Sequence, residues 1–340
     1  SFGRDVRDII RIDPRVSLDR EDTTSGGDGQ DHISCLGGNN RTNAFTVDGI
    51  SQGDIYGLNG TGFASRSSTP IPYDAVREVQ VQFAPFDVEY DQFTGCAINV
   101  ITKSGSNEYH GSAFFEYSDN GMRGDTVEGQ DVAPVESEKH WGVSLGGPII
   151  KDRIFLFGAY SHQETGLAYD NGPVGAGYPN DSGGVTLDQF NTVSQILADQ
   201  YGIDTGPLVT NLPYENDRYF VRGDINITDN QRLELTYQHL DEKTVKEDDY
   251  FSSGNGSTVT GLNNFYNSGT KSDYFSGRLY SNWTDNFSTE IRYSHSKVTD
   301  LQDPVGGGEA QTGNPIPRII VGVEDGSDYG AVEAGPGQYR

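Results

Sequence analysis

Apolar and polar residues along this chain follow a pattern that recurs. Arg222 to His239 reads RGDINITDNQRLELTYQH, and 56 residues later Arg278 to His295 reads RLYSNWTDNFSTEIRYSH. Each copy has Thr-Asp-Asn near its middle, at Thr228–Asn230 and Thr284–Asn286. In the first copy Leu233, Leu235 and Tyr237 oppose Arg232, Glu234, Thr236 and Gln238. In the second, Ile291, Tyr293 and His295 oppose Glu290, Arg292 and Ser294. A period of two belongs to a strand with one apolar and one wet face. The same pattern predicts strands at Tyr109–Ser118, His140–Ile150, Arg153–His162, Arg218–Thr228, Arg232–Asp241, Tyr274–Trp283 and Ser288–Thr299, with a weaker eighth at Arg318–Val323.

The connections between these strands alternate in length. Short ones follow Ile150 and fall at Asp229-Asn230 and Asp285-Asn286. Long ones cover about 119–139, 163–217, 242–273 and 300–317. Short turns at one end and long loops at the other are the layout of a transmembrane β-barrel. A soluble antiparallel sheet shows the same residue alternation. The loop asymmetry, and Tyr219, Tyr237, Tyr280, Trp283 and Tyr293 near strand ends, favour the membrane. Arg218, Arg222, Asp224 and Asn226 share one strand face and Tyr219, Val221, Ile225 and Ile227 the other, as expected of a wet lumen opposed by lipid. Within the second long loop, Thr186 and Gln189 form a capping-box pattern ahead of Leu187, Phe190, Val193 and Leu197, and Gly202 follows, which predicts a helix.

Residues 1–105 have a different character: short apolar runs broken by Gly, Asn and Asp. A helix is expected over Asp5–Ile12, a strand at Asn43–Ile50 running into an Asp-Gly turn, a helix start at Pro72–Glu78, and strands at Val79–Phe83 and Ala97–Thr102. This reads as a small α+β domain ahead of the mainly β remainder, residues 106–340.

Composition adds limits. Of 340 residues 34% are hydrophobic, and no run approaches the length of a transmembrane helix, which does not count against a barrel. The net charge of −26 argues against nucleic acid as a partner. His32, His110, His140, His162, His239 and His295 are scattered without metal-ligand spacing. No G-x-S-x-G is present, and Gly57–Gly62 lacks the Lys-Ser/Thr of a phosphate loop. No catalytic residue, metal or cofactor is expected, and the chain does not read as an enzyme. The acids between Asp19 and Asp31, and Glu247, Asp248 and Asp249, read as solvated loops. Cys35 and Cys96 are either two buried thiols or one disulfide made in an oxidising compartment.

Two segments carry a family resemblance. NAFTVDGI, with Asn43, Val47, Asp48 and Gly49, resembles the first plug signature of TonB-dependent outer-membrane receptors. AVREVQVQFAPFDVEYDQFTGCAINVITKSG, with Glu78, Val79, Val81, Gly95, Ile98, Asn99, Thr102 and Lys103, resembles the second. GGNNRTNAFTVDGI, VQFAPFDVEYDQFTG and NEYHGSAFFEY together are similar to the Oar-like, OmpA-related branch. The resemblance covers residues 3–160 closely and the later hairpins only in pattern. It implies a plug over residues 1–105 seated in a barrel of about 22 strands, of which residues 106–340 supply the first seven or eight. It implies the bacterial outer membrane, contact with its lipid and lipopolysaccharide, and energy-coupled uptake of an unidentified scarce or bulky substrate, driven by TonB with ExbB and ExbD. Where the family has Gly-Gly, this chain has Gly95-Cys96; a periplasm-facing plug would let Cys96 pair with Cys35. Arg222, Asp224, Glu234, Arg278, Glu290 and Arg292 are then expected to face the lumen. The chain is expected to be a fragment lacking a TonB box and the later strands. Rival readings are a soluble cell-surface binding or adhesion module and a TonB-independent secretion channel.

Overall fold

A computed structural model of the chain describes residues 4–20, 31–39, 42–54, 62–66, 68–83, 95–122, 124, 126–127, 130–131, 137–247, 257–308, 313, 315–325 and 328–336. Most of the acidic 19–31 loop, most of Gly57–Gly62, and Asp248 and Asp249 lie outside them. In chain order the elements begin with α1 (Val6–Ile10), β1 (Val16–Arg20), β2 (Asp31–Cys35), β3 (Ala44–Val47), β4 (Ile50–Ser51), β5 (Val76–Phe83), β6 (Cys96–Thr102) and β7 (His110–Ser118). A small hairpin, β8 (Thr126–Val127) and β9 (Gln130–Asp131), precedes β10 (Glu138–Ile150) and β11 (Ile154–Ala168). Then come β12 (Asn171–Val174), β13 (Asn180–Thr186), α2 (Leu187–Tyr201), β14 (Asn211–Thr228), β15 (Gln231–Lys246) and β16 (Ser257–Thr260). The last are β17 (Tyr266–Thr284), β18 (Phe287–Pro304), β19 (Ile319–Asp325) and β20 (Asp328–Ala334).

Three bodies result. The first is the plug, a four-stranded sheet ordered β4-β3-β6-β5, with the β1-β2 hairpin and α1 beside it. Its core holds Val6, Ile10, Ile33, Phe45, Phe63, Ile71, Ile98 and Val100. The same cluster includes Phe157, Ala159 and Phe220 from β11 and β14, so the plug packs directly on the second body. That body is a curved antiparallel wall of seven strands, ordered β18-β17-β15-β14-β11-β10-β7. The third is a cap made by the long connections. In it β16, β20 and β19 form a three-stranded sheet. Val185, Phe190, Val259 and Val332 share one small core there, and Leu197, Ile203 and Ala334 another. The capping box of Thr186 with Gln189 and the left-handed Gly202 bound α2 as the sequence predicts.

The expected eighth strand is part of this cap. Ile319–Asp325 pairs with Asp328–Ala334 and not with the wall, because a strand that follows so closely in the chain is a nearer partner than the edge strand β18. A second correction concerns strand length. At their short-turn ends the wall strands stop within two residues of the predicted limits. At the long-loop end they run on, to Ala168 instead of His162, Lys246 instead of Asp241 and Pro304 instead of Thr299. Those upper segments carry polar residues on both faces, so alternation fades while backbone pairing continues.

Rows of side chains in register across the outer face form a band of the kind that faces lipid. Ile154, Ile225, Leu233, Leu279 and Ile291 make one apolar row. Val143, Tyr160, Tyr219 and His239 make a higher one. Above that, Lys139, Glu164, Glu215 and Lys243 form a charged row. From Ile227 up to Tyr219 on β14 is about 27 Å at about 3.4 Å per residue. With strands tilted by about 40° this gives about 20 Å, close to the apolar band of an outer-membrane barrel. A repeated device marks its upper border. Tyr160 and His162 both bond Asp217 on the neighbouring strand, and Tyr237 and His239 both bond Asp273. Trp283 and Phe287 are exposed near the opposite border. Tyr280 departs from the expected girdle. It faces inward, where it accepts a hydrogen bond from Arg278 and lies under the Arg232 guanidinium.

Gly62 shows how tightly the plug is built. It sits at φ +81° and an added Cβ would lie 2.2 Å from the Phe45 ring. Both the left-handed backbone and the clash oppose a side chain. Gly62→Ala is expected to destabilise the plug by about 2 kcal/mol or more, read as a lower urea midpoint for loss of protease resistance of the plug. An unchanged midpoint would show that the turn relaxes freely.

Candidate functional site

The two plug signatures meet in space because β3 and β6 are parallel neighbours, with Thr46 opposite Asn99 and Val47 opposite Val100. Asp48 and Gly49 have φ of 49° and 76°. Two left-handed residues in succession fit the tight primed turn joining β3 to β4, and Asp-Gly is a favoured pair for it. The turn is held from β6. Thr102 donates to Asp48 through its backbone N–H (3.0 Å) and its hydroxyl (2.6 Å). Asn99 accepts from the Gly49 N–H at 3.0 Å and the Thr46 hydroxyl at 2.8 Å. Val47, Ile98 and Thr102 are buried, whereas Glu78 is exposed and Val79 and Val81 pack partly on the core. The Lys103 N–H donates to Ala75 O.

The cysteines lie at the other end of this sheet. Cys35 on β2 and Cys96 on β6 form a disulfide, with Cα atoms 6.1 Å apart. Asn43 ties the same region together. Its amide donates to Ile33 O and its carbonyl oxygen accepts from the Cys96 N–H. Gly95 leaves room for this, since a Cβ there would lie 2.4 Å from Asn43 Oδ1.

The wall grips the Asp48 turn from the other side. Arg222 bonds Asp224 through Nε (2.9 Å), Glu234 (2.8 Å) and the Thr102 hydroxyl (3.1 Å), and lies 3.7 Å from the Asp48 carboxylate. Arg222, Asp224 and Glu234 are all buried. Arg278 donates to Asp48 O, and Arg292 donates to Gly49 O at 3.0 Å while pairing with Glu290. All six wall residues therefore stand on the plug side, Glu290 and Arg292 being the more exposed. Around them is a cavity of about 350 Å³ whose lining includes Arg77, Asn99, Ser104 and Arg232. Charged groups this well paired hold two bodies in one register, yet a change in any partner weakens the whole set.

A second contact lies further up the lumen. Glu242 on β15 is 1% exposed and accepts from the N–H groups of Arg66 and Ser68 and from the Ser68 hydroxyl. Gln238 bonds Gln52 and Pro70 O. On β7, Phe114 lies under the Arg4 guanidinium, which pairs with Asp74. Sequence reasoning missed these residues. Glu242 was within reach, because Glu234, Thr236, Gln238 and Leu240 already point inward and the alternation carries one step past the predicted strand end. Among the histidines, His162 lies near Glu215 and Asp217 with ligand-type atoms within 4.8 Å. The bonds from Tyr160 and His162 to Asp217 account for that grouping.

A sheet-built plug bonded to the inner face of a seven-stranded wall with an apolar outer band is the arrangement of part of a plugged outer-membrane β-barrel. The family model for an outer membrane beta barrel domain matches residues 101–173. The chain is 28% identical over 141 residues to the TonB-dependent transporter Oar of Myxococcus xanthus, a match covering 39% of this chain and 12% of that protein. It is 29% identical over 168 residues to a probable TonB-dependent siderophore receptor, PirA, of Acinetobacter baumannii, covering 47% of this chain and 21% of the relative. In fold it is similar to the outer membrane transporter YddB of Escherichia coli, with a TM-score of 0.58, 13% identity, and 88% of this chain and 37% of that one covered. A mutant ferric enterobactin receptor (PfeA) of Pseudomonas aeruginosa gives 0.57 at 18% identity, covering 97% and 42%. The chain is thus an outer-membrane homologue of TonB-dependent transporters, and its matches span about an eighth to a fifth of the length of the curated relatives.

Proposed function

We propose that this chain is the plug and adjoining wall of a TonB-dependent receptor that takes up a scarce or bulky substrate across the outer membrane. The observation that carries the reading is the bonding of both plug signatures, through Asp48 and Thr102, to the buried Arg222 cluster of the wall. In this reading the junction is the latch. TonB, energised with ExbB and ExbD, pulls the plug from its periplasmic side, the Arg222 and Glu242 contacts yield in turn, and a path opens along the lumen. The outer face stands in lipid and lipopolysaccharide throughout. The relatives named above support this role and not an enzymatic one. A TonB-independent secretion channel would share the wall but have no need of a plug that yields to force.

The test uses Ser104→Cys in the full-length protein, because Ser104 lines the junction cavity and Cys35 and Cys96 are paired with each other. A membrane-impermeant maleimide added outside cells should label Cys at 104 several-fold faster with TonB present than in a TonB-deficient strain. Equal labelling in the two strains would refute energy-coupled opening.

A further inference from the structure

The cap encloses a second cavity, of about 220 Å³, well away from the plug junction. Two long connections, the one after β11 and the one after β15, contribute to it. Tyr169 and Asn171 follow β11, Tyr178 precedes β13, Glu247 ends the β15 extension, and Thr258 and Thr260 come from β16. Below it Val209, Val245 and Phe265 form a small core on which the Tyr169 ring packs edge-on, 5.4 Å from Phe265. Tyr178 is fixed by donating to Val209 O at 2.7 Å, and its ring lies against Gly172, where a Cβ would come within 2.1 Å of it. Burial, together with the Glu247 carboxylate that accepts its hydroxyl, pushes the Tyr169 phenol up. The Thr260 hydroxyl is buried and has no hydrogen-bond partner.

This lining limits what can bind. Among the described residues no lysine, arginine or histidine lines the cavity, and its one charged group is the Glu247 carboxylate. An anion would meet a like charge in a chain of net −26. A purely apolar ligand would leave the buried Thr260 hydroxyl unsatisfied. An ammonium brings donors alone, whereas the Asn171 amide and the threonine hydroxyls also have protons to give. Hydroxyl groups on a compact ring both donate and accept, and they match this mixture of carboxylate, amide and hydroxyls. The volume is below the ~300–1,000 Å³ typical of drug-sized ligands, so one ring fits and a larger ligand would extend outside.

We infer that the cap cavity is a binding site for a single uncharged sugar ring, presented free or at the end of a larger glycan. As a statement about uptake it rests on the transport reading above, for which it names a substrate class; as a binding site it stands without that reading. The latch holds the plug to the wall, while this cavity meets ligand outside the lumen.

The probes are glucose, galactose and N-acetylglucosamine, tested on the purified full-length protein by saturation-transfer NMR with millimolar titration. Tetramethylammonium and 2,3-dihydroxybenzoate serve as cationic and anionic comparators. At least one sugar should bind to wild type. Glu247→Gln and Thr260→Val should each weaken it about ten-fold or more, with trypsin resistance of the cap unchanged. If a variant loses that resistance, Thr258→Val and Asn171→Ala are read in its place. The inference is overturned by no sugar binding to wild type, by sugar binding that the folded variants leave intact, or by stronger binding of either charged comparator. TonB is absent from this assay, so the transport reading can fail the labelling test while the sugar site survives, and the reverse.

Discussion

Arg222→Met in the full-length protein should loosen the plug without unfolding the barrel. The substitution leaves Asp224 and Glu234 buried beside the Asp48 turn and removes the bond to the Thr102 hydroxyl. Breaking a buried charge cluster by deleting its cation costs about 3–5 kcal/mol, because the remaining carboxylates are uncompensated. The loss falls on the plug–wall junction, since the strand register of β14 and β15 rests on backbone bonds from Tyr214–Thr244 to Thr228–Gln231. Amide hydrogens of β3 and β6 should therefore exchange about a hundred-fold faster or more, while those of β14 hold and heat-modifiable gel mobility is retained. Cells carrying the variant should become sensitive to an antibiotic too large for porins. Arg222→Lys keeps the charge but not the fork that spans two carboxylates, and should fall between. A combined Arg222→Met, Asp224→Leu, Glu234→Leu variant should restore much of the slow exchange, as replacing buried charges by apolar groups is nearly neutral and Asp48, which keeps its bonds to Thr102, is the one carboxylate left of the set. Unchanged exchange in Arg222→Met would mean that the junction is incidental to plug docking.

Much of this junction was legible in the sequence. Alternation alone put Arg222, Asp224 and Glu234 on the face opposite Val221, Leu233 and Leu235, because a strand buried on both sides by unlike media must alternate. What alternation could not give is the partner. That Arg222 reaches Thr102 across 120 positions depends on how the plug is seated. The same limit explains Tyr280. Its place near a strand end resembles a girdle residue, yet its register sets it beside Arg278 on the inner face. The cap was hidden for another reason. Its strands are short, partly parallel and drawn from three separate connections, as in the pairing of β16 with β20. Only α2, with local capping at both ends, and β19, which alternation assigned to the wall, announced themselves.

The two faces of the wall follow different rules. On the outside, apolar rows are interchangeable so long as the band keeps its height. On the inside, several polar groups have a specific partner on the plug: Glu242 with the Ser68 loop, Gln238 with Gln52, Arg222 with Thr102. Among the described residues, the wall side chains that join the plug's apolar core are Phe157, Ala159 and Phe220. An interface dominated by polar contacts can part into a wet lumen at small cost, because water replaces each lost bond.

The disulfide sets how far such parting can go. Cys35 and Cys96 are separated by 61 positions, and closing a loop of that size stabilises the plug by about 4 kcal/mol in the chain-entropy view. Under a pull from the N-terminal side its effect is mechanical as well. The stretch from Arg4 to Cys35 unravels to about 110 Å at about 3.5 Å per residue. At Cys35 the force then passes through the bond to β6, which is paired on both sides, with β3 and with β5. Unravelling should stop there. In force spectroscopy of the reconstituted full-length protein, the first plug increment is expected to end at Cys35. With Cys35→Ser and Cys96→Ser together, or wild type under reductant, it should run on through β3 and β6. The double variant should also lower the urea midpoint of the plug. Increments that are the same with and without reductant would show that β6 gives way before the bond bears load, and the plug would then open by moving out as a body.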